Sequence, residues 1–337
     1  MKAVGYRTPG AIERTDSLLD LELPRPEASG HDLLVEVRAV SVNPVDYKIR
    51  RGAIPPEGEA RILGWDAVGT VVAVGDKAQG FAPGDRVYYA GALNRPGTNS
   101  EYHLVDARLA AVAPRKLSDG EAAALPLTSI TAWEMLFERL DVARPVPGAA
   151  NAVLIVGGAG GVGSIAIQLL RARTDLTVIA TASRPETRDW CLSLGAHHVI
   201  DHGKPLAAQV EALQLGAPGI VFSTTETCRH LDEIVALIAP QGRFGLIDDP
   251  ENLTVNGFKG KSVSIHWEFM FTRSLHATPD MDRQGALLAD VAALVDAGAI
   301  RSTLSETMGP ISATNLKRAH ALLESGKARG KIVLEGF

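Results

Sequence analysis

The chain has 337 residues, 46% hydrophobic and 22% charged, ordinary proportions for a folded protein and length enough for two cores. A net charge of −5 without a long basic run argues against nucleic acid or an anionic membrane as the main partner. Cys191 and Cys228 are the only cysteines, which excludes a disulfide framework and a cysteine-rich metal lobe and fits a reducing compartment.

Met1–Tyr6 reads as a first strand rather than a leader peptide, so a cytoplasmic protein is expected. Leu33–Val40 alternates like a half-buried strand, as do Gly69–Gly75 and Asp85–Tyr89, with Gly, Pro and Asp clusters between them. Closely spaced strands with few helices predict an all-β barrel over the first ~125 residues. Ser118-Asp-Gly-Glu121 then carries the spacing of a helix start.

From Pro126 the pattern alternates. Helix is predicted over Ser129–Leu140, Glu186–Leu194, Pro205–Leu215 and Cys228–Ala239. Strands are predicted at Ala152–Val156, Leu176–Thr181, His198–Ile200, Gly219–Ser223, Arg243–Ile247 and Val263–His266. Six strands with intervening helices imply an α/β, doubly wound parallel sheet. An amphipathic helix over Gln284–Gly298 and a last strand at Gly330–Leu334 follow. That strand is expected to return to the first domain, because the parallel sheet is already complete. The domains expected are 1–126, 127–266 and a returning 267–337.

The stretch from Asn151 to Arg171 organises this plan. Ala152–Val156 is an unbroken apolar run, suited to a strand buried on both faces. Gly158-Ala-Gly160-Gly161-Val162-Gly163 follows at once and opens an apolar helix. Strand, glycine turn and helix start come in the order a dinucleotide site requires. Gly158 is expected to make the turn, Gly160 to admit a pyrophosphate and Gly163 to pack helix on strand. The N–H groups that open the helix, from Gly161 and Val162 on, then hold the phosphates. A membrane span is the competing reading of this apolar run, but the central glycines make it a poor one. An NAD site places an acid about 20 residues past the glycines. Here Thr181-Ala-Ser183-Arg184 stands there, with no acid before Glu186. A hydroxyl beside a guanidinium suits the extra phosphate of NADP, with Arg188 one turn on as the other candidate.

Several motifs together resemble the medium-chain dehydrogenase/reductase superfamily, in its zinc-independent quinone oxidoreductase-like branch. They are Ser41-Val-Asn43-Pro44-Val-Asp46, Leu63-Gly64-Trp-Asp66-Ala-Val-Gly69, Gly84-Asp-Arg-Val87, Gly97–Tyr102, Ala124–Trp133, Gly158–Gly163 and Leu194–Asp201. The zinc-type alcohol dehydrogenase-like proteins are the most similar group. The resemblance implies a GroES-like barrel carrying the substrate chemistry and a Rossmann cofactor domain inserted after it. It implies a homodimer through the sheet edge near 263–271, with Phe269 and Phe271 as an apolar lip.

Zinc-dependent relatives carry Cys where this chain has Asn43, and His-Glu where it has Trp65-Asp66. A catalytic zinc needs three protein ligands, and Asp66 alone cannot supply them, so no zinc is expected. The resemblance also implies Asn43 near the nicotinamide ribose or substrate carbonyl, Lys48 or Tyr47 as donor to the substrate, and Thr128 and Lys331 on the cofactor. His202 stands where relatives carry an adenine-side residue. Water or a ribose hydroxyl is the other possible donor. Without a metal, hydride transfer favours a quinone or α,β-unsaturated carbonyl, which spreads the new negative charge over a conjugated system. The alternatives are a zinc-dependent alcohol dehydrogenase and a non-catalytic NADPH-binding protein.

Overall fold

The structure is a computed structural model that describes all 337 residues, and the chain divides into two compact units. One comprises Met1–Ile130 and Phe271–Phe337, the other Thr131–Met270. No helix is long and apolar enough to cross a membrane.

The first unit is built around the 11-residue strand Asp32–Val42. One edge of it pairs antiparallel with Ala67–Val74 along most of its length. The other edge is shared: Asp32–Glu36 pairs with Tyr102–Asp106, and Ala39–Val42 with the last strand, Lys331–Glu335. The apolar pattern explains this division, since Leu33–Val35 and Ala39–Val42 are buried while Arg38 between them is exposed. Because Ile332 lies opposite Val42, the chain brings Lys331 to the end of the strand, beside Asn43. Leu19–Glu22, Lys2–Tyr6 and Arg61–Ile62 form a second sheet, and Ala3 in it bridges Ser100, just before the strand Tyr102–Asp106.

Helices in this unit are more numerous than the sequence pattern indicates. Pro44–Gly52 is helical where the sequence reads as a loop. Its signals are nevertheless present: Asn43 as N-cap, Pro44 at the first helical position and Asp46 in the first turn. Ala313–Glu324 is a second helix outside the predicted set, capped by Ser312, whose Oγ accepts from the Asn315 N–H at 3.3 Å. The expected start at Ser118 is present, with its hydroxyl and the Glu121 side chain satisfying each other's backbone.

The second unit is a six-stranded sheet, all parallel. Its order is His198–Ile200, Thr177–Thr181, Ala150–Val156, Pro218–Ser223, Arg243–Leu246, Ser264–Trp267. Strand order reverses on either side of Ala150–Val156, a topological switch of the kind at which such sheets bind ligands beyond their carboxyl ends. Residues 152–156 are buried throughout, as a strand covered on both faces must be. The helix predicted over Ser129–Leu140 is instead α-helical over Pro126–Trp133 and π-helical over Glu134–Arg139.

Candidate functional site

In the first unit, three chain segments converge on the carboxylate of Asp66, which is fully buried. Its Oδ1 accepts from the Leu127 N–H at 2.7 Å. Its Oδ2 accepts from Asn43 Nδ2 at 2.7 Å and from Lys331 Nζ at 3.0 Å. Burial pushes the Asp66 carboxyl up, while the Lys331 ammonium pulls it back. All three partners are donors, which is the environment of a carboxylate rather than a carboxylic acid.

The neighbours of Asp66 are equally committed. Asn43 Nδ2 also donates to the Ser41 carbonyl at 3.3 Å, and Asn43 Oδ1 accepts from Lys331 Nζ. Lys331 further donates to the Val42 carbonyl at 3.0 Å. Three Nζ protons thus meet three acceptors, and both protons of the Asn43 amide are placed. Lys331, though at the start of the last strand, is only 3% exposed. Thr128 is buried too, its hydroxyl donating to the Leu125 carbonyl at 3.2 Å.

Asp46 braces this cluster from below. Its Oδ2 accepts from the Asn43 N–H at 2.7 Å and its Oδ1 from the Gly64 N–H at 2.8 Å, tying the helix start to the Leu63–Asp66 turn. Burial pushes its carboxyl up to about 7. Gly64 is required there: its φ is +103°, and a Cβ would lie 2.5 Å from Thr98 Oγ1. Tyr47 is half-buried and Lys48 exposed on the same helix.

These side chains do not make a zinc site. Both Asp66 oxygens are engaged, one by an ammonium, and no group of three His, Cys, Asp or Glu side chains is gathered anywhere in the structure. His103 is buried and is not a metal ligand. Its ring stacks on Tyr89 and bonds Tyr89 Oη at 3.2 Å and the Pro96 carbonyl at 3.0 Å. Trp65 is buried as well, donating to the Ala92 carbonyl at 3.2 Å and meeting Phe271 edge-on. Phe271, 3% exposed, is therefore core, whereas Phe269 is 51% exposed.

In the second unit the glycine turn follows Ala150–Val156 and opens helix Gly161–Arg173. The positive φ of +82° falls on Gly157, not Gly158, so the turn sits one residue earlier than the sequence spacing indicates. A Cβ on Gly158 would lie 2.7 Å from Ala180 Cβ, and one on Gly163 2.3 Å from the Gly157 carbonyl oxygen. Those two glycines serve close packing. At Gly160 the nearest atom to a Cβ is the Gly157 oxygen at 3.4 Å, an ordinary contact. The chain itself has room for a side chain there, at the N-cap of the helix, where glycine is also well tolerated. First-turn N–H groups from Gly161 to Gly163 have no intrahelical acceptor and stand at the positive end of a 13-residue helix. A pyrophosphate fits this cradle.

Thr181, at the end of the next strand, ties the turn down: its Oγ1 accepts from the Gly157 N–H at 3.0 Å and lies 3.3 Å from His202 Nδ1. Burial holds the His202 imidazole below its usual value. Ser183 is exposed. Arg184 precedes helix Pro185–Ser193, and its Nε lies 3.3 Å from Glu186 Oε1. Arg188 donates to the Val199 carbonyl at 2.6 Å. The structure thus brings Asn43 and Lys331 together on Asp66 in one unit, with Thr128 next in sequence to Leu127 and bonded elsewhere, and Gly158–Gly163, Thr181 and His202 in the other. Sequence reasoning missed the positioning parts of Asp66 and Thr181. The signal was available for Asp66, since an acid beside Trp65 in a buried turn must find donors.

Comparison with known proteins agrees with both halves. Residues 29–115 match the alcohol dehydrogenase GroES-like domain and residues 194–334 the zinc-binding dehydrogenase family. The chain is similar to a zinc-type alcohol dehydrogenase-like protein of Staphylococcus aureus, 39% identical over 336 residues and 99% of each chain. It is also similar to the 2-methylene-furan-3-one reductase of Solanum lycopersicum, 28% identical over 99% of this chain and 79% of the relative. A Rhizobium etli crystal structure, provisionally named a zinc-dependent alcohol dehydrogenase, superposes with a TM-score of 0.98 at 64% identity, covering 100% of this chain and 98% of that one. The NADPH complex of mycobacterial Rv1454c superposes at 0.83, 26% identical over 99% of each chain. With GroES-like and Rossmann units both present, the chain belongs to the medium-chain dehydrogenase/reductase superfamily, among the zinc-type alcohol dehydrogenase-like proteins of its quinone oxidoreductase-like branch.

Proposed function

We propose that this oxidoreductase reduces a quinone or an α,β-unsaturated carbonyl compound with NADPH, without zinc. The observation that carries the reading is the closed Asn43–Asp66–Lys331 cluster, in which the only acid of the zinc-ligand motifs is already neutralised by an ammonium. Negative charge developing on the substrate must then be spread by conjugation and met by hydrogen bonds. The Solanum lycopersicum relative is named for reducing such an enone, and the mycobacterial neighbour was solved with NADPH, which supports both parts.

Bound NADPH supplies the hydride. Gly160, Gly161, Val162 and Gly163 would hold its pyrophosphate, with Gly158 packing the turn against the next strand rather than meeting the ligand; Ser183 with Arg184 or Arg188 would take its 2′-phosphate, and His202 would border the adenine side. Lys48 or Tyr47 donates to the substrate oxygen. Asn43, Thr128 and Lys331, with their polar hydrogens committed, serve the nicotinamide side by fixing the backbone around them. The cysteine usage favours a cytoplasmic setting. A second copy pairs along the edge strand Ser264–Trp267, where Trp267 is 52% exposed; Trp267→Lys should yield monomers in sedimentation velocity.

The function is tested by following NADPH absorbance with chelator-treated protein against a panel of quinones, enones and saturated ketones. Turnover with the conjugated acceptors alone is expected. Activity that appears only when zinc is restored would favour the zinc-dependent alcohol dehydrogenase, and no turnover with any acceptor would favour a non-catalytic NADPH-binding protein.

A further inference from the structure

Arg184 is held by two neighbours that act on different parts of it. Thr187 turns inward, 4% exposed, and fastens the backbone: its Oγ1 donates to the Arg184 carbonyl at 2.8 Å and accepts from the Arg184 N–H at 3.3 Å. Pro185 fixes the next φ. Glu186 takes the guanidinium itself, Nε to Oε1 at 3.3 Å, with 38% of the Arg184 side chain and 57% of the Glu186 side chain exposed.

We propose that Glu186 is a specificity-determining residue, a built-in competitor that occupies the Arg184 guanidinium and weakens the grip of this chain on a 2′-phosphate. The proposal rests on the cofactor reading above. A 2′-phosphate that binds this guanidinium brings close to two negative charges to a group whose Nε already lies beside a carboxylate. The two anions then repel across a single planar fork. Glu186 also stands in the first helical turn, where the helix end favours its negative charge and keeps it in place.

Two effects of removing Glu186 oppose each other. Losing the ion pair loosens the side chain, but a solvent-exposed ion pair orders it only weakly. Losing the carboxylate removes the repulsion, which at this exposure and at physiological salt is worth about three- to tenfold in affinity. The backbone anchor at Thr187 stays in either case. Repulsion therefore wins, and the variant should bind NADPH more tightly than the natural chain does.

The test is titration of NADPH and of NADH into the full chain at low and high salt, using wild type, Glu186→Gln, Arg184→Gln and the double variant. Glu186→Gln should tighten NADPH about three- to tenfold, leave NADH within about twofold, and lose much of its gain at high salt. In the Arg184→Gln background the same change should have no effect on NADPH. A wild-type preference for NADPH that Glu186→Gln leaves unchanged or lowers overturns the proposal alone. A loss of NADH affinity in that variant would assign Glu186 to the ribose hydroxyls and overturn it as well. Equal affinity for the two cofactors both in the wild type and in Glu186→Gln overturns the cofactor reading and the proposal together.

Discussion

Asp46 shows how a residue can stabilise geometry and still weaken the fold as pH rises. It joins two backbone N–H groups, yet burial raises its carboxyl to about 7 from an ordinary value of 3.8. Between those values the folded chain keeps a proton that the unfolded chain has lost. This contribution is therefore fully present below about 4 and is lost as pH rises through about 7. His103 and His320 act in the opposite sense. Burial holds them near 4 and near 3, so only the unfolded chain takes up their protons as pH falls below about 6.5, and stability falls with it. The two slopes oppose each other in the wild type. Asp46→Asn should leave the histidine slope uncovered, so that the urea midpoint climbs more steeply between pH 4 and 6.5 than in the parent chain. An identical pH profile for both would show that Asp46 titrates normally. None of this was legible in the residue types alone. Asp46 looks like an ordinary turn acid until the fold buries it, and Asp66 until the returning strand places Lys331 beside it.

At the scale of elements, the glycine turn separates packing from binding. Gly163→Ala drives a Cβ to 2.3 Å from a backbone oxygen, so helix and strand must part. Gly160→Ala meets nothing closer than 3.4 Å. Melting should therefore fall by several degrees in Gly163→Ala and by little in Gly160→Ala, where the cost is about 1 kcal/mol or less for alanine at an N-cap. NADPH affinity should fall at least about tenfold in both, because an approach to the backbone is blocked in one and the cradle is lost in the other. Unchanged NADPH binding in Gly160→Ala, measured by fluorescence titration, would mean that the cradle takes no pyrophosphate. The strand–turn–helix order was readable because it is local and strongly periodic. The shift of the turn to Gly157 was not, since four more glycines follow within six residues and only φ tells them apart. Pro44–Gly52 was missed for a related reason. Asn-Pro marks a turn as readily as a helix start, and the deciding partner, Gly64, is 18 residues from Asp46. The π-helical turn at Glu134–Arg139 likewise has no local signature in the sequence.

Taken as a whole, the chain carries a family name that mentions zinc and a side-chain arrangement that does not fit it. The replacements at Asn43 and Trp65 were visible in the sequence. What the structure adds is the reason the remaining acid is unavailable: the last strand pairs with Val42 and delivers an ammonium to Asp66. A fold that returns its C-terminal segment to its first domain can settle the charge balance of a site from residues nearly 300 positions apart. The chemistry proposed on that ground is hydride addition to a conjugated acceptor, with the charge carried away from the carbon that is attacked. The most direct measurement is the fate of deuterium from NADPH labelled at nicotinamide C4, followed by NMR of the product after reaction with an α,β-unsaturated ketone. The account predicts deuterium at the β-carbon of a saturated ketone, formed by chelator-treated protein. Deuterium on the carbonyl carbon of an allylic alcohol, or transfer that requires added zinc, would contradict it.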